Sequence, residues 1–185
     1  MQKKSGVMVL IDGVCGCGKS TVAKEICKLL QDKNFSLFDS DEFILENPST
    51  LTDFEIYRKL GCVDLWHIRV IEKQVRRLLR NGNIVVADNF VTELEKQFLE
   101  KLQKDGFVIY HFILDATHST VVWRVHNDEK HTNPIQRKLR VESYLLCDLF
   151  LKNRNNYPDA VHVATDGRSV AEIVSEIYDK ISVSL

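Results

Sequence analysis

Gly13-Val14-Cys15-Gly16-Cys17-Gly18-Lys19-Ser20 matches the spacing G-x-x-x-x-G-K-[ST]. Its glycines permit positive φ and close backbone approach, so successive amides can curl around an anion at the positive end of a following helix. Lys19 supplies a point charge for the β and γ phosphates of a nucleotide. Ser20, with Thr21 beside it, supplies a hydroxyl for a hard ion such as Mg²⁺. ATP and Mg²⁺ are therefore the ligands this stretch is expected to hold. Cys15 and Cys17 fill variable positions, where a small side chain that leaves the amides available is sufficient. A sharper alternative is that the helix N-terminus and Lys19 lower a thiol pKa and make the empty loop sensitive to oxidation.

Three acids are placed to act with such a loop. Asp39 and Asp41 are two apart, so in an extended segment both side chains face the same way, one toward metal-bound water and the other toward a hydroxyl. Their alternative role is to cap a helix starting near Glu42-Phe43-Ile44. Asp88 ends the apolar run "IVVAD" and reads equally as a metal or substrate ligand and as a helix cap.

The elements that must position these residues follow from the pattern of apolar side chains. Val7–Asp12 is a continuous apolar run, read as a strand buried on both faces, and Lys19–Gln31 has helical periodicity. Strands are predicted at Phe35–Phe38, Ile84–Ala87, Phe107–Leu114 and Val161–Ala164. Helices are predicted at Leu51–Leu60, Val63–Arg80, Glu93–Gln103, Ser119–His126, Ile135–Asn153 and Ser169–Ile181. Asn127–Pro134, "NDEKHTNP", has no period and reads as a mobile loop. Alternating strands and helices predict an α/β fold of three layers, with helices on both faces of a five-stranded parallel sheet. In such a sheet ligands collect beyond the carboxyl ends of the strands, where all three acids fall.

The chain has 185 residues, which suits one domain at roughly 100–200 residues per domain. With 25 Lys+Arg against 26 Asp+Glu, it has no net field to attract nucleic acid or an acidic membrane. No apolar run is long enough to span a bilayer or to serve as a signal peptide, so a cytoplasmic location is expected. Five cysteines without CxxC or Cys/His spacing argue against a disulfide framework or a zinc site. The six histidines share no metal-site spacing and read as surface or structural residues. Trp66 and Trp123 read as packing groups, with a place bordering the base as the alternative for Trp123, which adjoins Arg124.

"GVCGCGKST" followed by "FDSDEF" resembles the small P-loop metabolite kinases, especially shikimate kinase, with gluconate kinase and nucleoside or nucleotide kinases as relatives. The ending "RNNYPDAVHVATDGRSVAEIVSEI" is similar to that of shikimate kinase. The resemblance implies a P-loop NTPase fold with strand order 2-3-1-4-5, one kinase domain over 1–185 and a lid at about 127–136. It implies transfer of the γ-phosphoryl group of ATP to a hydroxyl, or a phosphate, of a small metabolite. Under it, Asp39 serves the Mg²⁺ shell, Asp41 binds and activates the acceptor, and Arg154 binds an anionic or polar substrate group. Arg124 stacks near adenine and Thr165-Asp166-Gly167-Arg168 closes the base pocket. Arg69 lies near a family arginine that grips a substrate carboxylate, although Arg69 and the Arg76/Arg77/Arg80 cluster also read as a solvated helix face.

Two departures bear on the acceptor. Asp88-Asn89-Phe90 stands where shikimate kinases carry three glycines, and Asn133-Pro134 stands where their lid has Arg-Pro. Shikimate itself is therefore not the expected acceptor, and a lid cation would have to come from Lys130, Arg137 or Arg140. Partners are expected to be a small-molecule phosphoryl acceptor, with no nucleic acid and no membrane, in a monomer or homodimer. The competing reading is a nucleotide-binding switch or slow NTPase, although no guanine-specific Asn-Lys-x-Asp sequence is present.

Overall fold

Val7–Gly13 forms β1, and all seven of its positions are buried, as a strand with a covered layer on each face requires. The computed structural model describes residues 6–39, 59, 63–81, 84–88, 93–128, 132–153 and 156–182. The expected helix at Leu51–Leu60 lies outside these residues except for Lys59. Following β1 are α1 (Lys19–Leu29), β2 (Phe35–Asp39), α2 (Val63–Arg80), β3 (Ile84–Asp88), α3 (Glu93–Lys104) and β4 (Val108–Asp115). The chain continues through α4 (His118–Asn127), α5 (Pro134–Glu142), α6 (Tyr144–Lys152), β5 (Val161–Ala164) and α7 (Val170–Ser182).

The five strands form one sheet in the order β2-β3-β1-β4-β5, and every pairing is parallel. β1 sits centrally, with Leu10 opposite Ala87 on one side and His111 on the other. The central strand therefore delivers its carboxyl end to the middle of the molecule. Met8, Leu10 and Ile11 are sealed by Ile26, Ile71 and Phe112, among others. Each such aliphatic or aromatic side chain contributes about 1.5–3 kcal/mol when fully buried. α1 packs against α7, and α2 against α3. Right-handed crossovers put the pairs on opposite faces.

The segment after α4 departs from expectation in two respects. Asn127 still belongs to α4 and Pro134 already opens α5, so the predicted Asn127–Pro134 loop is shorter at both ends. Pro134 has no amide to satisfy and so fits the first helical position, while Asn133 accepts the Ile135 amide on its side-chain oxygen at 2.9 Å. Ile135–Asn153, read as one helix, is two helices broken at Ser143. The Ser143 hydroxyl donates to the Arg140 carbonyl at 3.0 Å, a local bond that competes with the helical ladder. Tyr144 then donates its hydroxyl to the Ala116 carbonyl at 2.9 Å, fixing the start of α6 to the end of β4.

Candidate functional site: a glycine loop at the end of the central strand

Gly13, Gly16 and Gly18 take φ of 146°, 80° and 107°, where a side chain is strained. The space is also closed at two of them. A Cβ on Gly13 would lie 2.6 Å from Cys17 Sγ and 2.8 Å from the Leu114 carbonyl oxygen. One on Gly16 would lie 3.0 Å from Val125. The loop is thus wedged against the end of β4 and the side of α4. Gly18 occupies the N-cap of α1 with no side-chain cap bond, at the positive end of that helix.

Lys19 is only 9% exposed, and its Nζ donates to the carbonyls of Gly13 at 3.1 Å and Val14 at 3.2 Å. The ammonium is folded back onto the loop, held by carbonyl dipoles alongside its other contacts. Ser20 and Thr21 are exposed in the first turn of α1. Cys15 is half-buried, whereas Cys17 is 2% exposed with its sulfur against Gly13. Burial pushes the Cys17 thiol up, and this outweighs the opposing charges of Lys19 and Arg124. The alternative of an activated thiol therefore fails at Cys17: a helix N-terminus lowers a thiol pKa only where the thiolate can be solvated or paired.

Arg124, on α4, joins this loop to the turn after β5. Its Nη1 donates to the Cys17 carbonyl at 2.9 Å and to Thr165 Oγ1 at 3.2 Å, and its Nη2 donates to the Thr165 carbonyl at 3.1 Å. Thr165 is fully buried and donates its amide to the Asp115 carbonyl at 2.8 Å. Asp166 accepts the Thr117 amide at 3.0 Å. Its carboxyl lies below its usual range: burial opposes this, but bonds from Thr120 and Thr117 and the charge of Arg124 prevail. Arg168 donates to the Ala164 and Glu172 carbonyls and to Glu176 at 2.8 Å. The 165–168 turn is therefore tied by its own side chains to the start of α4, the end of β5 and α7.

On the other side of β1, Asp39 and Asp88 are register partners at the carboxyl ends of β2 and β3, and Asp88 pairs in register with Ile11. Asp39 is half-buried. Asp41 and Arg154 lie outside the described residues, as does Lys130. Arg69 is at an exposed position on α2. Arg76 is tied to Glu72 at 2.9 Å and to Asp105, which accounts for it as a strut between α2 and the end of α3. Arg137 donates to the Asp128 carbonyl at 3.1 Å, tying α5 to the end of α4. Trp123, expected to pack, is exposed.

Two residues that the sequence reading passed over belong to this region. Asp12 is fully buried, accepting the Gly13 amide on Oδ1 at 2.9 Å, while its Oδ2 faces His111 Nε2 at 3.4 Å. The His111 ring packs edge-on against Tyr157, centroids 4.8 Å apart. It also lines a cleft of about 290 Å³ between α3 and residues 156–160. The available signal was a charged residue and a histidine inside the apolar runs "VMVLID" and "VIYHFIL". Cys147 on α6 also approaches the loop: burial raises its thiol pKa, Cys15 adds to the rise, and Lys19 opposes it.

Residues 9–145 match the family model described as an AAA domain. The chain belongs to this AAA domain family. Within the family it sits with the P-loop small-metabolite kinases that its motifs resemble. The AAA domain chain is 24% identical to the shikimate kinase of Bacillus cereus (strain G9842) over 176 residues, covering 95% of this chain and 98% of that one. It is 27% identical to the thymidylate kinase of Legionella pneumophila (strain Corby) over 101 residues, covering 49% of this chain and 48% of that one. Its fold is similar to that of a gluconokinase from Sinorhizobium meliloti 1021, with a TM-score of 0.63 at 20% identity, covering 98% and 94% of the two chains. The α/β P-loop kinase fold with a parallel sheet is thus shared with these proteins. No helix among the described residues is long and apolar enough to cross a membrane.

Proposed function

We propose that this AAA domain chain is an ATP- and Mg²⁺-dependent phosphotransferase that moves the γ-phosphoryl group to a hydroxyl, or a phosphate, of a small metabolite other than shikimate. The observation that carries the reading is the Lys19 ammonium held over the Gly13 and Val14 carbonyls at the mouth of a glycine loop. A cation stored there can exchange these carbonyl dipoles for phosphate oxygens. The relatives named shikimate kinase and thymidylate kinase favour phosphoryl transfer as the reaction class and leave both acceptor types in play.

The residues present fit the expected ligands. The positive-φ glycines let the loop backbone pack against β4 and α4 where Cβ atoms on Gly13 and Gly16 would collide, and the exposed Ser20 with the half-buried Asp39 offers hard oxygen donors of the kind Mg²⁺ takes. When bound, Mg²⁺ neutralises charge on the phosphate oxygens. The loop amides and Lys19 orient the terminal phosphate for in-line attack. Asp41, by resemblance, orients the acceptor hydroxyl and takes its proton as the new O–P bond forms and the bond to the β–γ bridging oxygen breaks, releasing ADP. Arg124 and residues 165–168 form the wall of the base pocket, Asp88, Arg69 and Arg154 are assigned to binding the acceptor on the strength of the sequence and its resemblance, and residues 127–136 close as a lid that excludes water. The whole chain then works as one kinase domain.

A thermal-shift screen with MgATP and a metabolite panel, followed by measurement of ADP release, tests this reading. The expected result is stabilisation by MgATP, further stabilisation by an acceptor, and turnover that falls about 10²–10³-fold in Lys19→Ala. Asp41→Asn should keep ATP binding and lose transfer. Stabilisation by nucleotide with no acceptor across a broad panel would instead identify a switch or slow NTPase.

A further inference from the structure

We propose that His111 is a positioning residue for the phosphate loop and acts on it through Asp12. The sheet register dictates the pairing. His111 is opposite Leu10 on the neighbouring parallel strand, and Asp12, two residues on from Leu10, projects from the same face. Asp12 is fully buried, and its two oxygens have separate tasks. Oδ1 accepts the Gly13 amide at 2.9 Å, and Oδ2 faces His111 Nε2 at 3.4 Å.

A carboxylate only accepts, so a hydrogen bond across this contact requires the ring proton on Nε2. The edge-on contact with Tyr157, at an interplanar angle of 83°, fixes the plane of the imidazole. Gly13 is in turn the residue whose carbonyl accepts from Lys19 Nζ at 3.1 Å and whose φ of 146° begins the loop. One residue, Gly13, therefore lies between His111–Asp12 and the ammonium that addresses phosphate. Without the imidazole, the Asp12 carboxylate would remain buried with one donor fewer. It would turn to recover its bonding, and the Gly13 peptide would turn with it.

The inference rests on the loop binding nucleotide, and the test separates the two claims using ADP with Mg²⁺ as the probe. In ¹⁵N-histidine-labelled protein, the His111 ring signals, identified by their loss in His111→Gln, should report the Nε2–H tautomer. They should also shift as ADP is added, although the imidazole does not belong to the loop. His111→Phe should weaken ADP binding by about fivefold or more in calorimetry, and His111→Gln, whose amide N–H replaces Nε2–H, should restore it to within about twofold. A ring that holds position while ADP binds overturns the inference. So does a folded Phe variant that loses thermal stability but keeps its ADP affinity, since that outcome makes His111 a packing residue. If the Phe variant does not fold, the wild-type titration decides alone. Failure of ADP to bind the unaltered protein overturns the phosphate-loop reading and this inference with it.

Discussion

Arg124 donates to the Cys17 carbonyl at 2.9 Å across 107 positions of chain, and its second terminal nitrogen reaches the Thr165 carbonyl at 3.1 Å. One guanidinium thus fixes the spacing between the phosphate loop and the turn after β5. A ligand spanning the two meets a frame that is already set, which lowers the ordering cost of binding. Truncating Arg124 to Ala should lower unfolding free energy by about 1–3 kcal/mol, since two buried carbonyls lose a charged donor. It should also weaken ATP binding measured by calorimetry. Arg124→Lys should recover only part of each loss, because an ammonium cannot reproduce the fork. Unchanged ATP affinity in Arg124→Ala would show that this frame contributes nothing to nucleotide binding.

The loop and its flanking elements were legible because phosphate binding by backbone amides demands glycines at fixed spacing, and a strand buried on both faces reads as unbroken apolar sequence. The break at Ser143 was not legible: apolar periodicity runs through it, and only the hydroxyl bond to Arg140 reveals the competition. Arg124 was singled out, yet its bonds to Cys17 and Thr165 depend on tertiary approach that spacing does not encode. His111 was grouped with the other histidines because its partner lies one strand away, with a sequence separation of 99. For Cys17 the sequence leaves a small filler and a reactive thiol both open, because burial, which raises its pKa, cannot be seen in a motif.

The glycines of the loop should differ sharply in tolerance. Gly13→Ala meets Cys17 Sγ at 2.6 Å and the Leu114 carbonyl at 2.8 Å in addition to its φ of 146°. Gly18→Ala meets nothing within 4 Å and carries only the strain of φ 107°. Denaturant unfolding should therefore show Gly18→Ala losing about 1–3 kcal/mol. Gly13→Ala should lose clearly more, or fail to fold. Equal losses would mean that the packing under Gly13 relaxes freely.

Thiol chemistry should follow burial rather than motif position. Cys17 is 2% exposed with its thiol pushed up, and Cys27 is pushed up to about 11 by burial on α1. Timed alkylation of the native protein, read by peptide mass spectrometry, should modify the half-buried Cys15 well before Cys17 and Cys27, which should stay untouched until unfolding. Early modification of Cys17 would show that the loop opens on the labelling timescale.

Asp166 gives the fold a dependence on acid whose sign is fixed by its partners. Its folded pKa lies below the ordinary 3.8, with bonds from Thr117 and Thr120 outweighing burial. The stabilisation is therefore complete above the unfolded value and is lost as pH falls through the folded one. The carboxylate is largely exposed, so solvent screening holds the effect to under about 1 kcal/mol. Denaturant midpoints of wild type and Asp166→Asn should differ most at neutral pH and converge well below pH 3.8. A gap that stays constant with pH would mean that the Asp166 side chain acts by shape, with its charge playing no part in holding the Thr117 amide.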